Sequence, residues 1–216
     1  MRRQTAALAA TLLAAGLTPV LLAAPASASA AVAKHHDDFN GDGHRDLAYG
    51  GNDDVGREGG TVTVLYGASG GLDTTRPQLI HQDSAGVPGA GEEDDRFGET
   101  LASADLDKDG YADLAVGVPH EAVGDRAYQG GVHFFRGGSG GLSGSRSSWI
   151  AQTVLGPAEA DSFFGHSVRL RDLNADGRAD LGVGAQWRGI LLHGTGTTPT
   201  SQDAVTLPEF SGGFLG

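Results

Sequence analysis

The stretch Asp105-Leu106-Asp107-Lys108-Asp109-Gly110-Tyr111-Ala112-Asp113-Leu114 decides how this chain is read. It recurs as Asp38-Phe39-Asn40-Gly41-Asp42-Gly43-His44-Arg45-Asp46-Leu47 and as Asp172-Leu173-Asn174-Ala175-Asp176-Gly177-Arg178-Ala179-Asp180-Leu181. The spacing is 67 residues each time. A fixed period of this length marks a repeat architecture, in which each unit is one supersecondary element stacked on the next. Positions 1, 3, 5 and 9 of the segment are Asp or Asn in every copy, and position 6 is Gly.

Residues outside the segment keep the period. Phe97-Gly98 recurs as Phe164-Gly165, Asp94 as Asp161 and Glu92 as Glu159, while Gly50, Gly117 and Gly184 share one phase. Gly67-Ala68-Ser69-Gly70-Gly71-Leu72 matches Gly137-Gly138-Ser139-Gly140-Gly141-Leu142 at a spacing of 70, a slip that a surface connection tolerates. In the second unit, short apolar runs bounded by Gly, Ser, Pro or Asp predict strands over 97–104, 113–118, 131–136 and 148–154. Four short strands per unit, with no helical period, predict an all-β chain of β-propeller-type blades. A β-sandwich is the competing all-β architecture, but it gives no reason for one acidic loop to recur at constant phase.

The loop has the chemistry of a hard-cation site. Ca²⁺ takes six to eight oxygen ligands, and alternate carboxylates around a sharp Gly turn supply them. Position 7 varies as His44, Tyr111 and Arg178, as expected where only a backbone carbonyl is used. Without a cation, converging carboxylates repel by about 1 kcal/mol per pair at 4 Å in water, and by more near protein. An EF-hand is excluded, because position 12 holds Tyr49, Val116 and Val183 where that loop needs a bidentate Glu. Mg²⁺ fits less well, since it keeps its waters and takes few protein ligands.

Taken together, Phe-Gly, the D-x-[DN]-x-D-G-x-x-D-L loop and a Gly-Ala-Pro-like turn resemble the FG-GAP repeat of integrin α-subunit β-propellers. The resemblance spans roughly 31–216, with repeats at about 31–96, 97–163 and 164–216. It implies one blade per repeat, with Ca²⁺ in the loop between the first two strands and about three sites in all. The implied ligands are Asp38, Asn40, Asp42, His44 (carbonyl) and Asp46; then Asp105, Asp107, Asp109, Tyr111 (carbonyl) and Asp113; then Asp172, Asn174, Asp176, Arg178 (carbonyl) and Asp180. The chain departs from the family in three ways. The turn reads Gly50-Gly51-Asn52, Gly117-Val118-Pro119 and Gly184-Ala185-Gln186. The first repeat lacks Phe-Gly, and the third is short after Gly184 and followed by a degenerate Phe214-Leu215-Gly216. Family propellers usually have seven blades, so three repeats make an incomplete one, and self-association would be one way to close it.

Composition agrees. Of 216 residues 36 are Gly, which disfavours helix and suits tight turns. The net charge of −12 disfavours nucleic acid and anionic membranes and favours cations. With no Cys, the chain has neither disulfide nor thiolate chemistry, so a metal is the natural staple. Arg2-Arg3, an Ala/Leu-rich run and Ala26-Ser27-Ala28-Ser29-Ala30 read as a secretory signal over 1–30, with no membrane span after its removal.

The expected function is a secreted calcium-binding module, structural or ligand-binding, that meets an extracellular protein or polysaccharide. The alternative is an accessory piece of an extracellular phospholipase or glycan-active hydrolase, since FG-GAP repeats also accompany such domains. Ser69 and Ser139 match G-x-S-x-G, but the motif occurs twice within the repeat and no helix pattern follows, so no catalytic residue is assigned. His35-His36 and Glu92-Glu93-Asp94 read as solvated surface. Phe97 and Phe164 are expected between blades, and Trp149 and Trp187 in the core or at a blade edge rather than stacked on a sugar.

Overall fold

The computed structural model describes residues 33–51, 59–157 and 159–207. The predicted signal (1–30) and the degenerate Phe214-Leu215-Gly216 lie outside the described residues. The chain is all-β, in antiparallel sheets that none of the strands closes into a barrel. The second repeat is the most regular. Its strands β6 (Thr100–Ala104), β7 (Asp113–Val118), β8 (Gly131–Arg136) and β9 (Ser143–Ala151) form a meander in that order. The third repeat repeats it with β10 (Ser167–Arg171), β11 (Asp180–Ala185), β12 (Arg188–His193) and β13 (Thr200–Leu207). In the first repeat β1 (Leu47–Gly51), β2 (Thr61–Leu65) and β5 (Gln78–Ile80) form a three-stranded sheet. A small hairpin of β3 (Gly67–Ala68) and β4 (Gly71–Leu72) is inserted between β2 and β5.

The three sheets stack as blades along their first strands, β6 lying beside both β1 and β10. Strand alternation divides the core between the two seams. Leu114, Val116 and Val118 of β7 join Phe39, Val62, Val64, Phe97 and Phe135 between the first and second blades. Ala115 on the other face of β7 joins Val132, Phe134, Phe164, Leu181 and Val183 between the second and third. Every residue of β7, β8 and β11 is therefore buried, whereas β1, with no sheet on its far side among the described residues, exposes Leu47 and Tyr49.

The Phe-Gly pair turns out to be a clip rather than the start of a strand. Residues 97–99 form a turn before β6. The Phe97 N–H donates to the Gly59 carbonyl of the preceding blade at 2.6 Å, and the Phe164 N–H to Gln129 at 3.1 Å. Both rings are fully buried between blades, worth about 2–3 kcal/mol each in transfer free energy. The clip also explains the phased glycines. A Cβ on Gly50 would overlap the Gly98 carbonyl, and one on Gly117 the Gly165 carbonyl. These glycines leave room for the next blade's clip.

The fourth strand of the second blade differs from expectation. It starts five residues earlier, at Ser143, and stops at Ala151, where 152–155 form a 3-10 turn. Its serine-rich start resembles a loop. It pairs nonetheless, because a register shift between Phe134 and Arg136 brings Arg136 opposite Ser143. Trp149 packs over Gly131 and stands 5.0 Å from the His133 ring. Trp187 is not in the core; it sits at a hairpin tip with 72% of its surface exposed.

Candidate metal centres

Each acidic loop leads into a strand of its blade: loop 1 (38–46) into the half-exposed β1, loop 2 (105–113) into the buried β7 and loop 3 (172–180) into the buried β11. The loops are folded by their own carboxylates. The position 1 carboxylate accepts the N–H of the position 6 Gly: Asp38 from Gly43 at 2.9 Å, Asp105 from Gly110 at 3.2 Å, Asp172 from Gly177 at 2.8 Å. Position 3 accepts from position 5, and position 5 from position 7; Asp42 Oδ1, for example, takes the His44 N–H at 2.8 Å. These successive Asx turns force a left-handed backbone at position 6, where φ is +86°, +94° and +81° and glycine is strongly favoured. Position 4 is left-handed as well, even where it is Lys108 or Ala175.

Position 9 has a second task. Asp46, Asp113 and Asp180 are buried, and each spends both oxygens on backbone N–H groups. Oδ2 takes position 2 (Phe39, Leu106, Leu173) at 2.7–2.9 Å. Oδ1 takes the glycine after the second long strand (Gly67, Gly137, Gly194), also at 2.7–2.9 Å. The ninth aspartate thus ties the loop to its own blade, and the lone pairs left on its oxygens remain open to a cation. Arg136 adds a buried ion pair to Asp113 at 2.8 Å. In loop 3 His193 Nδ1 lies 3.7 Å from Asp180.

Asp105, Asp107 and Asp109 gather ligand oxygens within 4.8 Å of one another, with Asp113 outside that group. Loops 1 and 3 carry Asn at position 3, and its amide donates to position 5: Asn40 to Asp42 at 3.1 Å, Asn174 to Asp176 at 3.3 Å. Asp38 is 1% exposed, and its Oδ1 has no hydrogen-bond partner; Asp105 Oδ1 is buried and unpartnered as well. A buried carboxylate oxygen with no donor is expensive, and a cation would satisfy it. The electrostatics agree. Burial, and then the Asp107 and Asp105 charges, push the Asp109 carboxyl above its usual range, although the Tyr111 N–H opposes this. Burial drives Asp113 up to about 6 against the Gly137 N–H and Arg136. It also raises Asp46, with Asp38 and Asp42 adding to the effect.

The position 7 side chains lie outside the loops' interiors. The Tyr111 ring covers Gly41 of loop 1, Arg178 reaches 4.0 Å from Asp176, and His44 is exposed. Loops 1 and 2 are stitched together by the Ala112 N–H to the Asp38 carbonyl at 2.8 Å. The Ala33 N–H donates to Asp105 at 2.8 Å.

Sequence reasoning missed one cluster. Asp95 and Glu121, on the connections at the far end of the strands, are hydrogen-bonded to each other, and Gln82 donates to Glu121 at 2.6 Å. Burial raises Asp95 to about 6 and Glu121 to about 7. Glu92, Glu93 and Asp94 beside them are exposed, as expected for surface residues. Ser69 and Ser139 are exposed in β-turns followed by strands, so neither has the strand-to-helix geometry of a nucleophile elbow.

The FG-GAP repeat family model matches residues 97–135, from the Phe-Gly clip through loop 2 and into β8. Integrin alpha-5 of Xenopus laevis is 44% identical over 96 residues, which is 44% of this chain and 9% of that protein. Phosphatidylinositol-glycan-specific phospholipase D of Mus musculus is 33% identical over 147 residues, covering 67% of this chain and 17% of that protein. Integrin alpha-4 of Xenopus laevis is 30% identical over 152 residues, covering 68% of this chain and 13% of that protein. The chain thus spans less than a fifth of these relatives. With the clip, the acidic loop and the phased glycines in place, it is an FG-GAP repeat protein of integrin-alpha-like type.

Proposed function

We propose that the chain is a secreted, non-enzymatic FG-GAP module whose three acidic loops bind Ca²⁺, and that the ions hold the blades in shape for a structural or ligand-binding role. The reading rests on the unpartnered, buried Oδ1 atoms of Asp38 and Asp105, supported by the three converging carboxylates of loop 2. Positions 1, 3 and 5 would supply side-chain oxygens, His44, Tyr111 and Arg178 their carbonyls, and Asp46, Asp113 and Asp180 a further oxygen while they staple the loop. A bound Ca²⁺ neutralises the cluster and fixes the turn between strands, in a chain that has no disulfide. Extracellular modules of this kind bind at about 10⁻⁴–10⁻³ M. Calorimetric Ca²⁺ titration of the secreted chain is expected to find about three ions, one fewer in Asp109→Ala, and a lower melting temperature in chelator. No heat of binding at millimolar Ca²⁺ would sink the reading.

The phospholipase D match favours a second reading, in which these repeats belong to an extracellular hydrolase as an accessory part. Ester or glycoside hydrolysis by the purified chain would count against the non-enzymatic reading and for this one.

A further inference from the structure

A pocket of about 320 Å³ opens between the second and third blades, at the end of the strands opposite the acidic loops. It exists because the third blade departs from the repeat. The residue before the second long strand is Gly60 in the first blade and Gly130 in the second. In both, a Cβ would crowd the Phe carbonyl of the next blade's clip. Strand register puts Trp187 at that position in the third blade. The connection there has shrunk to a two-residue turn, Gln186-Trp187, with Gln186 at φ +49°. The indole lies on the pocket rim, where no core contact accounts for so large an exposed apolar surface.

The rest of the lining combines flat apolar faces with planar hydrogen-bonding groups. Phe163 stacks on Tyr128 at 5.8 Å, and His120 closes the group at 4.9 Å from Tyr128 and 5.5 Å from Phe163. Phe163 and His120 line the pocket, and Tyr128 packs against both from outside the lining. Arg96 and Glu99 pair with each other at 3.3 Å on one side, and the Gln186 amide stands on the other. The pair's charges cancel. Burial, with the Arg96 charge helping, holds His120 below its usual pKa. Its Nδ1 has no hydrogen-bond partner.

We infer that this pocket binds a neutral saccharide, one pyranose face lying on Trp187 and Phe163 and its hydroxyls engaging Arg96, Glu99 and Gln186. A pyranose presents this pairing of a C–H face with a rim of hydroxyls. The self-neutralised Arg–Glu pair gives no net charge for an ionic ligand, and the chain's charge of −12 repels anions. The volume is at the small end of ligand sites, ~300–1,000 Å³, and suits one or two rings. The inference names the ligand of the proposed module but does not depend on Ca²⁺, because the acidic loops lie at the other end of the blades.

The test is a titration of the full chain with cellobiose, maltose, lactose and N,N′-diacetylchitobiose, by calorimetry and tryptophan fluorescence, at saturating Ca²⁺. At least one sugar is expected to bind with Kd near ~1 mM and to shift the emission. Trp187→Ala should weaken binding at least about tenfold, leaving circular dichroism and the Ca²⁺ stoichiometry unchanged, while Trp187→Phe keeps part of the affinity. No binding by any of the four at about 50 mM, or binding unaffected by Trp187→Ala, overturns the inference. Binding of glucuronate oligomers alone would overturn it too. Failure of the Ca²⁺ titration with sugar binding intact would count against the metal reading and not this one.

Discussion

Loops 2 and 3 share a motif and sit in adjacent blades, yet they hold themselves together differently. In loop 2 three carboxylates converge with no amide among them, and the ninth aspartate is paired with a buried arginine. In loop 3 Asn174 turns its amide to Asp176, Arg178 lies 4.0 Å from the same carboxylate, and residues 171–178 are all exposed. Its ninth aspartate faces a half-exposed histidine. Loop 2 has a matching arginine, Arg146 at 4.0 Å from Asp109, so what sets loop 3 apart is the Asn174 amide in place of a third carboxylate. Loop 2, with three carboxylates and no amide, has the greater need of an ion. The motif says which oxygens are available, and position 3 and the neighbouring strand say how far the fold leans on a cation.

The largest expected difference comes from the partners of the ninth aspartate. Arg136→Met strands Asp113 in the core and should cost about 3–5 kcal/mol in urea denaturation. His193→Met, removing the looser partner of Asp180, should cost no more than ~1 kcal/mol. Equal costs would erase the distinction between the two loops.

A smaller effect exchanges the third positions. Asp107→Asn should weaken the tightest calorimetric Ca²⁺ site about tenfold, or ~1.4 kcal/mol, and also soften the loss of melting temperature in chelator. Asn174→Asp should do the reverse at the weakest site. If both variants leave the three affinities where they were, position 3 is not a ligand.

A third contrast sets both loops against the buried carboxyl pair Asp95 and Glu121 at the other end of the strands. Asp95 and Glu121 have pKa values raised to about 6 and about 7, so the native state binds a proton more tightly than the unfolded one. Their stabilisation is complete below the unfolded values near 4 and is lost as pH rises to about 7. Glu92 and Asp94 stand near the pair as further negative charges, and the Gln82 amide as its donor. With Ca²⁺ present the proposed sites would run the opposite way, since carboxylates must be ionised to hold the ion. In chelator this pair should favour the folded chain more at pH 5 than at pH 8, against the opposite contribution of buried His133, and Glu121→Gln should remove the pair's part of that pH dependence. An unchanged slope in the variant would remove the pair from the account.

Most of this arrangement was legible in the sequence because the repeat isolates it. Constant phase singled out position 6 and the Phe-Gly pair, and both have a backbone reason in the structure. Features present in one copy were harder to read. Asp95 and Glu121 are distant in sequence, and the position equivalent to Asp95 in the next repeat is Ser162, so no periodicity flags the pair. The left-handed backbone at Lys108 and Ala175 follows from the Asx turns around them, and neither residue type announces it. The Ser143–Ser148 stretch pairs through a bulge that composition does not encode. The sequence leaves Trp187 between core and blade edge; only strand register shows that it stands where the other two blades have glycine.

The clip has a genetic corollary. Because Phe97-Gly98 and Phe164-Gly165 dock on equivalent glycines of the blade before, an in-frame loss of residues 98–164 would leave Phe97 followed by Gly165 and set the third sheet against Gly50 through an inherited joint. Unequal crossover between copies can therefore lengthen or shorten such an array by whole units without inventing a new interface. A change of blade number by whole units would then leave the geometry of every remaining junction as it is.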